Sequence, residues 1–553
     1  MTVNSKQPGG LSPEGREAIL ARRASWVIFA LSALIASIHF AAGRALWLDE
    51  AMIALNLRDL GWHEIIRKLE YSQMAPIGWL AVQKALLEIT GNLEYGLRIF
   101  SLVAWLGSAL LFRDMCFRLF APFAATCGFT LFAFSAILLK YAVELKHYEV
   151  DVLVATAALW SCVTILSNDR FAWRSWALFA LAAAVGVFFS FGGLFAIAGS
   201  ALAILLRALK ARRMDNIVAL GVIGGLCLLI FAWLMLSVYR PMISGSGLVE
   251  GGNDAFFNRT SYLPMPTSLA DLAWLPKWLW TFLLYAFSSG SRAGATMLIG
   301  VGLVVVFGRR PELLLATVGP LLIGLLASSI NAYPMFERLT LFALPGLFLA
   351  IAFAIAWFAD KLLHFRGATL ALLATALVGP LVDTAYFIRL SPPYANQDIK
   401  PVMRALSENI ASNDKIYVTN LAIPAWLLYR NNYRLRHQRW TPGLTNVVSW
   451  PCLIRDMRSL QPGETVWVVA IQTSSELENN GLLDSLAVMG LIAKHDVVVI
   501  ADGAVLHRLQ LSAAERPSST LPNAECGVDG TNAYLYPPER FRDFTISTES
   551  LGS

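Results

Sequence analysis

Two adjacent carboxylates, Asp49 and Glu50, stand in the segment Leu46-Trp-Leu-Asp-Glu-Ala-Met, where a long apolar run gives way to polar chain. Side chains of this type take up protons in catalysis or help to hold a divalent cation. The plainer role is structural, because an acid near the start of a helix caps its free amides. A second dense stretch, Glu144-Leu-Lys-His-Tyr-Glu-Val-Asp151, gathers Lys146, His147 and Asp151. A third, Phe336-Glu-Arg-Leu-Thr-Leu-Phe-Ala-Leu-Pro345, carries Arg338. Lys146 and Arg338 are suited to holding an anion or, equally, to snorkelling toward lipid headgroups. His147 reads more simply as a structural residue. What these groups can do depends on the elements that place them.

Of 553 residues, 56% are hydrophobic and 15% are charged, and the mean hydropathy is +0.57. An ordinary soluble domain carries about 25% charged residues. The apolar residues fall in long blocks, which excludes a soluble globular enzyme, a disordered chain and a collagen-like fibre. The pattern predicts an α-helical polytopic membrane protein with about eleven transmembrane helices. The first runs from Trp26 to about Ala45 and reads as an uncleaved span. The others fall near 97–112, 120–139, 150–167, 175–191, 193–206, 217–238, 293–307, 312–330, 339–358 and 369–388, with a tight turn required at Phe191-Gly-Gly.

Basic residues fix the expected orientation. With residues 1–24 as a cytoplasmic tail, the inner connections hold Arg113 and Arg118, Arg170 and Arg174, and Arg207, Lys210, Arg212 and Arg213. They continue with Arg309 and Arg310, then Lys361 and Arg366. The net charge of +6 and pI near 9.0 belong to this positive-inside pattern, and no nucleic-acid partner is expected. The longer segments all fall outside: a first loop at about 44–96, the turn 140–149, the loop 239–277, the turn 331–338 and everything after about 390. Within the first loop, Glu50–Leu60 and His63–Tyr71 read as amphipathic interfacial helices, at a depth that suits Trp47, Trp62 and Trp79.

The composition divides the chain into a membrane module at 25–390, a soluble external α/β domain at 391–511 and a loose tail at 512–553. In the domain, Asp398–Ile410 reads as a helix. Lys415–Thr419, Thr465–Ile471, Asp496–Ile500 and Ala504–Leu509 read as strands, the last two joined by an Asp-Gly turn. Cys452 and Cys526 can pair if this part lies outside the cytoplasm. Trp426, Tyr429 and Arg430 are candidates for contact with a glycan, although helix packing accounts for the first two more simply. No metal-ligand cluster, nucleophile elbow or Gly-rich phosphate loop is present, and Gly251-Gly252 lacks the context of a nucleotide site.

Asp49-Glu50 after the first span resembles the acidic motif of the GT-C superfamily of membrane glycosyltransferases. The likeness is to its family-39 branch: protein O-mannosyltransferases, aminoarabinose transferases and rhizobial lipopolysaccharide-core transferases. Gln73-Met-Ala-Pro-Ile-Gly-Trp and Glu94-Tyr-Gly-Leu-Arg98 are similar to the family's Pro-containing segment and to its entry into the second span. Glu144–Asp151 resembles the external mouth of the fourth span, whose final Asp is the site's second acid. Phe336–Pro345 resembles the stretch opening a late span, with Leu339 where the family has Tyr. The resemblance covers roughly residues 25–390.

It implies a polyprenyl-phosphate-linked sugar donor at the outer face of a bacterial inner membrane, with the C-terminal domain periplasmic and membrane lipids as surroundings. The acceptor implied is a hydroxyl on a cell-envelope lipid or glycan such as lipopolysaccharide, with a protein hydroxyl as second choice. A phosphate leaving group needs little protonation, so the acid–base pair of a glycosidase is unnecessary. One carboxylate to take the acceptor's proton suffices. Asp49 is the candidate base, and Asp151 or Glu50 orients the acceptor or helps to bind a divalent metal ion, a candidate cofactor with Asp49 and Asp151 as ligands. Lys146, His147 and Arg338 are the candidates for the donor phosphate; Arg67, Lys68 and Lys84 are further ones, more cheaply explained as a solvated helix face. The rival class, a transporter or flippase, fits less well, because the spans are almost free of ionisable groups at mid-depth and show no matching halves.

Overall fold

The computed structural model describes residues 13–71, 73–168, 171–245, 261–362, 378–379, 381–385, 397–443, 460–471 and 490–513. In chain order the helices are α1 (Pro13–Ala41), α2 (Leu48–Asp59), α3 (Trp62–Ile65), α4 (Ile77–Thr90), α5 (Tyr95–Leu119), α6 (Pro122–Ala133), α7 (Ala136–Tyr141), α8 (Tyr148–Leu166), α9 (Trp173–Phe189), α10 (Gly193–Lys210) and α11 (Met214–Leu234). Longer and shorter helices follow at Trp274–Arg309, Pro311–Thr317, Gly319–Ser329, Leu344–Leu362, Ile399–Asn409 and Ile423–Tyr429. The chain forms two compact units. The first comprises Met1–Ala42, Arg98–Ala232 and Arg259–Pro392; the second comprises Gly43–Leu97, Trp233–Asn258 and Pro393–Ser553.

Among the described residues, seven helices are long and apolar enough to cross a membrane, or eight if Pro311–Thr317 and Gly319–Ser329 form one span bent by 50°. The bend falls at Val318, just ahead of Gly319-Pro320, where proline removes an amide from the helical ladder. The expected span at 120–139 is instead broken at Phe134-Ser135 into α6 and α7. The one at 175–191 is the 17-residue α9. Most of the expected span at 369–388 lies outside the described residues, so the count of eleven is not reached by what is described.

The expected span at 293–307 is the end of a 36-residue helix that starts at Trp274. Its aromatic first half carries no proline after Pro276, and Ser288-Ser-Gly-Ser291 does not interrupt the helix. Helix Leu344–Leu362 sits in the middle of the first unit: the apolar window of Glu337–Lys361 is 94% buried, against 6% for Met214–Met242. Close approach explains two glycines here. A Cβ on Gly302 would lie 1.9 Å from the Ala350 carbonyl oxygen, and one on Gly128 would lie 2.7 Å from Ala352 Cβ. Small residues let such helices pack backbone to backbone.

The second unit contains a five-stranded sheet of order β2-β1-β3-β5-β4, with β1 Lys415–Val418, β2 Trp440–Pro442, β3 Thr465–Ile471, β4 Ile492–Ala501 and β5 Ala504–Leu511. Strand β1 is parallel to β2 and β3, while β5 is antiparallel to β3 and β4. The Asp502-Gly503 turn closes the β4–β5 hairpin, with Gly503 at φ +64°. Strand β2, only three residues ending in proline, carries too short an alternation to be read from sequence.

The first-loop segment also belongs to this unit. Helix α2 is buried at every position from Leu48 to Leu57, not amphipathic. The expected helix at 63–71 shortens to the single turn α3, and α4 takes up the chain after Pro76. Of the three tryptophans placed at interfacial depth, Trp62 is 45% exposed while Trp47 and Trp79 are buried.

Candidate active site

In the second unit, Asp49 is the second residue of α2 and 6% exposed. The N-cap residue is Trp47, in an extended conformation, and its side chain has no acceptor for the free amides of the first turn. Glu50 compensates by reaching back: its Oε2 accepts from the Trp47 amide at 3.3 Å. Its Oε1 lies 3.9 Å from the Arg44 guanidinium. Glu50 is therefore fully buried and tied into the start of the helix. At the other end of α2, Lys84 Nζ donates to the carbonyls of Leu57 and Leu60 at 2.8 and 2.9 Å, a C-terminal cap. Arg67 and Lys68 are exposed. Trp426 and Tyr429 are buried, as packing residues of helix Ile423–Tyr429.

The first unit holds the remaining candidates. Asp151, in the first turn of α8, is buried and accepts from the Ser190 hydroxyl and from the backbone amides of Phe191, Gly192 and Gly193. Ser190 Oγ accepts in turn from the Gly193 amide at 2.8 Å. The carboxylate thus clasps the turn between α9 and α10. That is the tight turn required at Phe191-Gly-Gly, where a Cβ on Gly192 would meet the Phe342 ring at 2.5 Å. Ser190 and these amides escape a sequence reading because nothing local marks them as partners of an acid 39 residues away.

His147, just before α8, has Nε2 3.9 Å from Asp151 Oδ2. Burial, with the Lys146 charge beside it, pushes its pKa down to about 3. The imidazole is neutral at physiological pH and can offer a phosphate a hydrogen bond but no charge. Lys146 is 8% exposed, on a backbone turn whose carbonyls at Glu144 and Lys146 accept from Ser101 Oγ.

Arg338 lies on the 3₁₀ turn Glu337–Ala343, which packs against α8. Its Nε donates to Tyr148 Oη at 3.2 Å. Tyr148 packs edge-on to Tyr141 at 5.4 Å, and the Tyr141 hydroxyl meets that of Tyr285. Arg338, Lys146 and His147 therefore occur in one unit with three tyrosines, of which Tyr285 carries no sequence signal. Among the described residues, no group of three or more His, Cys, Asp and Glu side chains could hold a metal ion. Asp151, one of the two candidate ligands, already has its oxygens engaged by the turn.

No protein-family profile matches the sequence, and no curated protein matches it. Among solved structures, ArnT from Cupriavidus metallidurans in the apo state is similar, with a TM-score of 0.50 and 12% identity over 87% of this chain and 97% of that one. The chain has the GT-C fold. ArnT bound to undecaprenyl phosphate aligns with a TM-score of 0.49 and 13% identity, covering 90% of this chain and 98% of that one. The oligosaccharyltransferase AglB from Archaeoglobus fulgidus, in complex with an inhibitory peptide and a dolichol-phosphate, gives 0.44 and 11%, covering 90% and 75%. A shared fold of this kind is a frame on which activity is set by particular residues.

Proposed function

We propose that this protein is an inverting membrane glycosyltransferase that moves a monosaccharide from a polyprenyl-phosphate carrier to a hydroxyl of a cell-envelope lipid or glycan, on the outer face of the inner membrane. The observation that carries the reading is Asp49: a buried carboxylate in the first turn of α2, soon after the first long apolar helix of a GT-C fold. Its neighbour Glu50 accepts from the Trp47 amide and lies near Arg44, and the proton transfer is assigned to Asp49.

In this mechanism Asp49 takes the proton from the acceptor hydroxyl as the oxygen attacks the anomeric carbon from the face opposite the phosphate. The carbon–oxygen bond to the phosphate breaks with its electron pair leaving on the phosphate, so no general acid is required. The departing charge needs cationic partners; Lys146 and Arg338 are the candidates that the sequence offers for it, with neutral His147 as a further hydrogen-bonding group. Asp151 keeps the α9–α10 turn in place.

Replacing Asp49 with Asn preserves size and removes the base. Asp49→Asn is expected to lower kcat at least about 100-fold with folding and membrane insertion unchanged. Transfer at near-normal rate by purified Asp49→Asn protein, assayed with a polyprenyl-phosphate sugar, would remove Asp49 from this role.

A further inference from the structure

The backbone that leads into Asp49 is held by side chains from the far end of the sequence. Residues 43–47 are not helical, so their amides and carbonyls need partners outside any local ladder. The Gly43 carbonyl accepts from Lys400 Nζ at 2.6 Å. The Leu46 amide donates to Tyr429 Oη at 2.9 Å. The Leu48 amide, the first of α2, donates to Gln397 Oε1 at 3.0 Å. Gln397 thereby does for the helix start what the side chain of Trp47 cannot.

These three groups are themselves fixed. Glu94 joins two of them, pairing with Lys400 and accepting from Tyr429 Oη at 3.0 Å. Lys400 lies over the Tyr429 ring at 5.8 Å. Gln397 is 4% exposed and holds φ +61°, a conformation costly for a residue with a side chain. The amide of the next residue, Asp398, donates to the Asp502 carbonyl in the β4–β5 turn at 2.7 Å. Near the other end of α2, Arg58 donates to the Leu427 carbonyl at 3.2 Å. A chain of bonds thus runs from the sheet through Gln397, Lys400 and Tyr429 to the two residues on either side of Trp47.

We propose that Gln397, Lys400 and Tyr429, braced by Glu94, are positioning residues that set Asp49 through the backbone of Gly43–Leu48, and that this is the task of the C-terminal sheet domain. The inference rests on Asp49 being the base, but the clasp exists whatever Asp49 does. Catalytic geometry is intolerant of displacement, and a shift of about 1 Å costs on the order of a hundredfold in rate.

The test compares the full-length protein with Gln397→Ala, Gln397→Glu and Tyr429→Phe. Gln397→Glu keeps an acceptor oxygen for the Leu48 amide, whereas Gln397→Ala and Tyr429→Phe each strand one amide. The expected result is a kcat reduced about tenfold or more in the two stranding variants, donor and acceptor KM within about twofold, and substantial recovery in Gln397→Glu. Amide exchange of the peptide spanning residues 43–52 is expected to speed up in the same two variants and to recover in Gln397→Glu. Unchanged exchange in both would overturn the clasp. Faster exchange with wild-type kcat would overturn the positioning role, as would a Gln397→Glu variant that recovers exchange but not kcat. If the wild-type protein transfers no sugar, or Asp49→Asn remains active, the glycosyltransferase reading fails on its own, while the exchange measurement still decides the clasp.

Discussion

Asp49 and Glu50 have the same charge and adjoin in sequence, yet one extra methylene and a 100° turn of helix separate their roles. Glu50 is long enough to reach back to the Trp47 amide and toward Arg44; Asp49 points from the next position on the helix. Arg338 poses a related question of reach. Its Nε is engaged by Tyr148, which fixes the plane of the guanidinium, a group whose planar fork is of the kind that suits phosphate. If it holds the donor, Arg338→Ala should raise the donor KM about tenfold or more, and Arg338→Lys, which retains charge without the fork, should recover only part of the loss. Initial rates against donor concentration decide the matter, and a KM unchanged in both variants returns Arg338 to a headgroup role.

Within the sheet, β5 lies between β3 and β4 and carries His507 opposite Val468 and Val497. His507 Nδ1 is 3.1 Å from His495 Nε2, so the pair shares one hydrogen when both rings are neutral. Burial, with His495 beside it, pushes the His507 pKa from 6.5 down to about 4. Above pH 6.5 neither the folded nor the unfolded chain protonates this residue, and it leaves stability unaffected. Between pH 6.5 and 4 the unfolded chain takes up the proton and the folded chain does not, so stability falls as the pH is lowered. The loss reaches about 2 to 3 kcal/mol by pH 4.5. Thermal unfolding of the full chain at pH 7.5 and 4.5 should show a larger drop for the wild type than for His507→Gln. Equal drops would mean that other groups govern the acid response.

At the scale of the whole chain, the expected orientation rests on the alternation of apolar helices with basic connections. An impermeant thiol reagent applied from outside should label cysteines placed at the exposed positions Arg67 and Asn331, and should not label those at Ala121 and Ala211, which are equally exposed in the structure. The reverse pattern would overturn the expected topology and put Asp49 on the cytoplasmic side, against the proposed lipid-linked donor. Arg170, Arg366, Cys452 and Cys526 lie outside the described residues, so their part in charge balance or pairing rests on the sequence.

Much of this protein is written locally. Hydropathy adds up residue by residue, so the apolar helices are legible, and the Asp-Gly hairpin and the strand Thr465–Ile471 are found where short-range turn chemistry and β-branched runs place them. The order of the acidic and basic motifs is equally plain, because it needs no partner to be seen. What folding alone decided is which partner each group takes: Glu50 with Trp47 and Arg44, Asp151 with the Ser190 turn, Leu48 with Gln397. The last pair is 349 residues apart. No pattern in a linear chain encodes such a meeting, because a buried backbone amide donates to any well-placed oxygen, and only the packed structure says which oxygen is there.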